Sequence, residues 1–263
     1  MAASEKPLVY FILGAAGSGR REVIADLIAG GFETTDRVAV MLPESEGACA
    51  ADEKLPGVTR WRWDDGTIVG ALPAEVPNVF FVTDGAGNLI DQIEVFKAWL
   101  EAQGGELARV LTVVNCQLAE RHPSLRAWFD ACVHFSDVVL LNRREGVSNK
   151  WFSEFQAHFK HQFVPCLFEF VKDGHVKNPA LALNPQARRL SHAFDAEQDW
   201  IFTDADGDVI DEQDESESDE DDIVAKPEEE AYFVRDATGR RVKKIPDMAK
   251  LLALDASRAG SAP

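Results

Sequence analysis

A chain of 263 residues that is 46% hydrophobic has enough apolar side chain for one sizeable domain, or for one domain with an appendage. Its net charge of −18 sets it against nucleic-acid backbones and anionic membranes, so neither is expected as a partner. The N-terminus has no leader pattern, no apolar run approaches the roughly 20 residues of a membrane span, and the four cysteines form no C-x-x-C pair; a soluble protein of the reducing cytoplasm is expected, with its cysteines as small buried hydrophobes.

Leu8–Leu13 (LVYFIL) is a continuous apolar run that stops at glycine, the pattern of a strand buried on both faces. Residues 20–29 follow with helical spacing of Val23, Ile24, Leu27 and Ile28. Further strands are expected at 37–42 (RVAVML), 79–82 (VFFV), 109–114 (RVLTVV), 137–141 (DVVLL) and 165–171 (PCLFEFV). Helices are expected at 89–103, 125–135 and 149–161, and a short hairpin or edge strand at Trp61–Gly66 around Asp65-Gly66. Apolar strands alternating with helices imply an α/β fold, a mainly parallel sheet covered on both faces, spanning 1–175. Ligands of such sheets bind at the carboxyl ends of the strands, and the chemically interesting residues do follow strands.

Gly14-Ala-Ala-Gly-Ser-Gly-Arg20-Arg21 follows the first strand and opens a helix, close to the phosphate-loop pattern G-x-x-x-x-G-K-[ST]. Glycines let the backbone curl so that several N–H groups converge on one anion at a helix N-terminus. Gly14, Gly17 and Gly19 meet that need, Ser18 lies within the loop, and Arg20 keeps a cation at the lysine position. Arg21 stands where a hydroxyl would ligate magnesium and offers the phosphates a second cation beside Arg20, so little dependence on that ion is expected. The same residues also suit a helix-entry loop with no ligand. Thr83-Asp84-Gly85-Ala86-Gly87 follows the third strand; Asp84 there suits sensing of a terminal phosphate or catalysis, and equally suits a strand-ending turn.

At the end of the fifth strand stand Asn142, Arg143 and Glu145, similar in kind to the N-K-x-D segment with which GTPases select guanine, the carboxylate one methylene longer. A solvated charged loop is the other reading. Together with Leu111–Cys116 (LTVVNC) and Phe135–Asn142 (FSDVVLLN), these pieces resemble the CobW-type P-loop GTPases over about residues 7–172. The resemblance implies a guanine-nucleotide site (GTP or GDP) made of the loop, Asp84 and Asn142–Glu145. The family's C-x-C-C metal motif is missing, Val82 replaces a glutamate, and Asn115 replaces the aspartate after the "TVV" strand. Those departures point to a degenerate relative with weak or no hydrolysis.

Beyond residue 175 the character changes. Two similar units, 201–210 and 233–242, read as β-hairpins joined by an acidic linker at roughly 211–230. Residues 204–222 hold about a dozen carboxylates and no Lys or Arg, a surface suited to another protein. A calcium-loop reading of Asp204, Asp206, Asp208 and Glu215 lacks the turn glycine and flanking helices. His158 and His161 share a helix face with no third ligand in sight and read as surface histidines. Two functions are therefore expected to compete: a GTPase-like nucleotide binder, and a non-catalytic interaction module on the same scaffold.

Overall fold

The computed structural model describes residues 6–195, 200–203, 224–227 and 229–259. Every apolar run above became a strand. β1 (Leu8–Leu13) is followed by α1 (Arg20–Gly31), β2 (Val38–Pro43), β3 (Val58–Asp64), β4 (Thr67–Val69) and β5 (Asn78–Val82). Then come α2 (Leu89–Ala102), β6 (Glu106–Asn115), α3 (Cys116–Arg121), α4 (Arg126–His134) and β7 (Val138–Asn142). α5 (Asn149–His161), β8 (Leu167–Lys172), β9 (His175–Val176) and α6 (Pro179–Leu183) complete the run. The strands form one nine-stranded sheet in the order β4-β3-β2-β5-β1-β6-β7-β8-β9. Its inner pairs are parallel, and only the edge pairs β3–β4 and β8–β9 are antiparallel. This is an α/β plan, a mainly parallel sheet with helices packed on it, as the alternating pattern requires.

Because strand side chains alternate between faces, β1 and β5 supply two cores. On one face Phe11 stacks on Phe96 with centroids 3.8 Å apart, and Phe81 packs against Trp61 and Trp99. On the other, Tyr10 stacks on Phe80 at 4.8 Å with Phe32 against both edges. Complete burial of Phe11, Phe81 and Phe96 contributes about 1.5–3 kcal/mol each. Trp61 Nε1 donates to the Val82 carbonyl at 2.9 Å, so its indole is buried without an orphaned donor.

The expected helix at 125–135 is one part of a longer helical segment. Pro123 interrupts it, giving α3, a 3-10 turn at Pro123–Leu125, and then α4. Cys116, Cys132 and Cys166 are buried as expected, but Cys49 is exposed, because it caps the turn Ala50–Lys54 at the surface. His158 pairs with Asp130 at 2.7 Å, and His161 is exposed.

Residues divide into two compact units, 1–190 with 244–263, and 191–243. In the first, α7 (Met248–Ala259) buries Met248, and its Asp255 is gripped by Arg121 and His122. In the second, β10 (Trp200–Thr203) pairs antiparallel with β11 (Val224–Pro227). The expected 211–230 linker therefore contains a strand, which takes up the first arm of the expected 201–210 hairpin. The return arm of that hairpin, the calcium-loop residues and the acidic run at 204–222 lie outside the described residues. The hairpin at 233–242 is present: Arg235 bridges Arg241, and Gly239 N–H closes the turn onto Asp236 O at 2.8 Å. Among the described residues no helix is long and apolar enough to cross a membrane.

Candidate functional site

β1 is the pivot of the sheet. The chain leaves it toward β2 on one side, returns as β5, and then crosses to β6 on the other. A crevice opens at the carboxyl end of such a strand, and the glycine loop at 14–19 lies there. Gly14, Gly17 and Gly19 have φ of 142°, 77° and 84°, backbone that L side chains resist. At two of them space forbids a side chain as well: a Cβ on Gly14 would sit 2.6 Å from Val113 O, and one on Gly19 2.5 Å from Asn142 Nδ2. Gly19 is the N-cap of α1 and offers no side-chain acceptor, so the first-turn N–H groups are left for something else.

In front of the loop is a cleft of about 400 Å³, lined among others by Ala16, Gly17, Gly19, Arg20, Arg21 and Glu46. Ser18 does not line it; its side chain is fully buried, and Oγ has no hydrogen-bond partner among the described residues. Both arginines reach the cleft, but both are already engaged. Arg20 Nη1 donates to Thr83 O at 2.6 Å, and its Nη2 pairs with Glu46. Arg21 Nη1 lies 2.8 Å from both Cys49 Sγ and Asp52 Oδ1, and Nη2 donates to Gly47 O at 2.9 Å. Arg60, reaching in from β3, pairs with Asp52 and donates to Gly47 O at 3.1 Å. Three cations thus face two carboxylates around the rim of the loop.

Asp84 lines the same cleft from the loop after β5. Its Oδ1 accepts from Ala86 N–H at 2.9 Å, and buried Gln92 clamps its backbone, accepting from Asp84 N–H at 2.7 Å and donating to Asp84 O at 3.0 Å. Those bonds fix the turn and leave the carboxylate one oxygen for other work. Magnesium in phosphate-loop sites is held by the hydroxyl after the cation and by a carboxylate. Arg21 supplies no ligand atom and fills that space with a cation, so these residues do not fit the ion. Among the described residues no three His, Cys, Asp or Glu side chains are grouped to hold a metal.

A second cleft, about 610 Å³, lies beside the first and shares Glu22 and Arg143 with it. Asn142, Arg143 and Glu145 come together on its wall, facing Asp26, Asp173 and His175. Asn142 is buried, and its Nδ2 donates to Ser18 O at 2.8 Å, stitching the end of β7 to the glycine loop. Arg143 adopts φ 51° and reaches Glu22 at 3.4 Å. Glu145 is exposed, and its carbonyl accepts from Gln117 Nε2 at 2.7 Å. Opposite, Asp26 holds the β8–β9 turn, pairing with His175 Nδ1 at 2.6 Å and accepting from Val176 N–H at 2.7 Å.

Sequence reasoning missed Glu46, Asp52 and Arg60, which complete the arginine cluster. One signal was available. Pro43-Glu44-Ser45-Glu46-Gly47 directly follows the carboxyl end of a buried strand, where ligand-facing residues of a parallel sheet fall. Asn115, expected as a departure at a strand end, is an N-cap: its Oδ1 accepts from Leu118 N–H at 3.0 Å.

No protein-family model and no curated protein sequence matches the chain. Solved structures do. Zn(II)-bound YjiA GTPase from E. coli is 11% identical over 77% of this chain and 73% of that one, with a TM-score of 0.42. The signal recognition particle receptor FtsY from Elizabethkingia anophelis, in complex with GDP, is 16% identical over 75% and 66%, also with a TM-score of 0.42. FtsY from Thermotoga maritima is 17% identical over 73% and 70%, with a TM-score of 0.41. None of these likenesses assigns a ligand to this chain.

Proposed function

We propose that this protein binds a guanine nucleotide, in the manner of a CobW-like scaffold, with weak or no GTP hydrolysis. The observation that carries the reading is the pair of adjoining clefts. One is floored by the glycine loop and the start of α1, the other walled by Asn142, Arg143 and Glu145, and Glu22 and Arg143 belong to both. A ligand with an anionic chain at one end and a ring bearing N–H donors at the other matches that division. The loop supports the phosphates through backbone N–H groups. Glu145, at the rim, is the acceptor for the ring donors.

Weak turnover follows from the same geometry. Phosphoryl transfer depends on metal and fixed cations that neutralise charge growing on the transferred group. Here Arg21 stands in the metal-ligand position, and Arg20 and Arg21 are both paired with carboxylates. Binding accordingly depends little on magnesium, and Asp84 acts on a water or terminal oxygen through its second carboxylate oxygen.

The test is competition against a fluorescent GDP analogue, with GTP, GDP and ATP, each with magnesium and with chelator. At equal phosphate chain, GTP competes at least about tenfold better than ATP, the margin a single charge-assisted contact supplies. Equal competition by ATP would remove the guanine assignment, and a tenfold loss in chelator would show a metal ligand at this site.

A further inference from the structure

Of the cationic and N–H donor groups around the glycine loop, two meet on a single oxygen. Glu46 Oε1 pairs with Arg20 Nη2 and accepts from Gly85 N–H at 2.8 Å, while Oε2 faces Arg21 Nη2 at 3.8 Å. A phosphate loop ordinarily directs the cation after its glycines to the outer phosphates of the nucleotide. In this protein that cation is already spent on a carboxylate of the same chain. The set around Glu46, two guanidinium groups and one backbone N–H, is the donor set of a terminal phosphoryl oxygen.

The contact is held from several sides. Glu46 sits in the turn Glu44–Glu46, closed by Gly47 N–H on Glu44 O at 3.1 Å. Gly47 O is pinned in turn by Arg21 at 2.9 Å and Arg60 at 3.1 Å. Gly85 is latched to the phosphate loop, its carbonyl accepting from Ala16 N–H at 3.1 Å. A Cβ on Gly85 would lie 2.2 Å from Ala16 N and 2.6 Å from Arg20 Nη2, so the approach demands glycine. Glu46 is largely buried, its side chain 15% exposed, yet it lines the cleft.

We infer that Glu46 is a built-in anion standing in the place of the terminal phosphate, so that the site prefers a nucleoside diphosphate to the triphosphate. This rests on the nucleotide reading above. A third phosphate brought to Arg20 would meet a fixed carboxylate of like charge and find the donors occupied. Ala16 and Ser18 N–H are bonded within the fold, to Gly85 O and Ala15 O at 3.1 Å each, and the N–H groups of Gly17, Gly19 and the first turn of α1, which Glu46 does not touch, remain for the shorter chain.

The experiment uses the full chain, free of nucleotide, titrated with fluorescent GDP and with a fluorescent non-hydrolysable GTP analogue. The parent binds the diphosphate tighter by roughly tenfold or more, the scale of a lost charge-assisted contact. Glu46→Ala clears the position and frees Arg20, and the preference disappears or reverses, chiefly through tighter triphosphate binding. Glu46→Gln keeps the volume and the Gly85 bond and falls between; it carries the comparison if Glu46→Ala melts well below the parent. Equal affinities in the parent, or an unchanged preference in both variants, overturns the inference while leaving nucleotide binding intact. If parent and both variants melt normally and bind neither probe, the nucleotide reading itself falls and takes the inference with it.

Discussion

Replacing Arg20 with methionine isolates the central ion pair of the loop. Methionine preserves most of the buried stem and removes only the guanidinium. The side chains of Arg20 and Glu46 are 2% and 15% exposed, so the pair is shielded from water on one side and partly wetted on the other. After the change Glu46 keeps the Gly85 N–H and Arg21 at 3.8 Å, and Thr83 O loses a donor at 2.6 Å. Stranding one partner of a fully buried pair costs about 3–5 kcal/mol. The residual contacts and the exposure of Glu46 bring the expected cost to about 2–3 kcal/mol. For a unit of this size that lowers Tm by about 4–12 °C. Adding Glu46→Gln to Arg20→Met removes the stranded charge and recovers about half of the loss, which a double-mutant cycle reads as coupling. Thermal melts and urea titrations of the four proteins measure it. An Arg20→Met protein melting within about 1 °C of the parent would refute the claim that Arg20 is engaged by Glu46, and with it the crowding of the terminal-phosphate position.

Thiol chemistry separates the cysteines. Burial pushes the Cys116 and Cys166 thiols up to about 12, and raises Cys132 well above its ordinary value, so none presents thiolate at neutral pH. Brief alkylation of the native protein at pH 7.5 therefore yields one adduct, at exposed Cys49; comparable labelling of the other three by peptide mass spectrometry contradicts the packing of α3, of α4 and of the approach to β8. The C-terminal helix carries a pH dependence. His122, 3.0 Å away, and then Arg121, at 2.8 Å, hold the Asp255 carboxyl below its ordinary value. A lowered carboxyl stabilises the fold above the unfolded value and loses that contribution as pH falls through the folded one. Asp255→Asn should therefore melt about 2–4 °C below the parent at pH 7, for a partly exposed contact of about 1 kcal/mol, and the gap should close below about pH 4. A gap unchanged down to pH 3 would mean that Asp255 does not act through its charge.

Local chemistry fixed much of this protein without any tertiary information. Short, β-branched and aromatic runs such as LVYFIL and VFFV, bounded by turn residues, read as buried strands, and their alternation with 3.6-residue periodicity points to a covered, mainly parallel sheet. Gly14, Gly17 and Gly19 were legible for the same reason: a backbone that must turn through positive φ shows itself as glycine. Asn88 and Ser148 directly precede the helices expected at 89–103 and 149–161 and cap them, since capping is a local hydrogen bond. What sequence could not decide was the state of the charges. Arg20 and Arg21 read as cations waiting for phosphate, and the fold instead hands them Glu46 and Asp52, some 26 and 31 residues away. Asn142 read as a base-selecting group, and the fold first spends its amide on the Ser18 carbonyl, across the sheet from β7 to the loop after β1. Such pairings depend on which strand ends lie side by side, and strand order is set by packing of the whole sheet. A sequence displays donors and acceptors one at a time; only the three-dimensional arrangement determines which of them have already found each other.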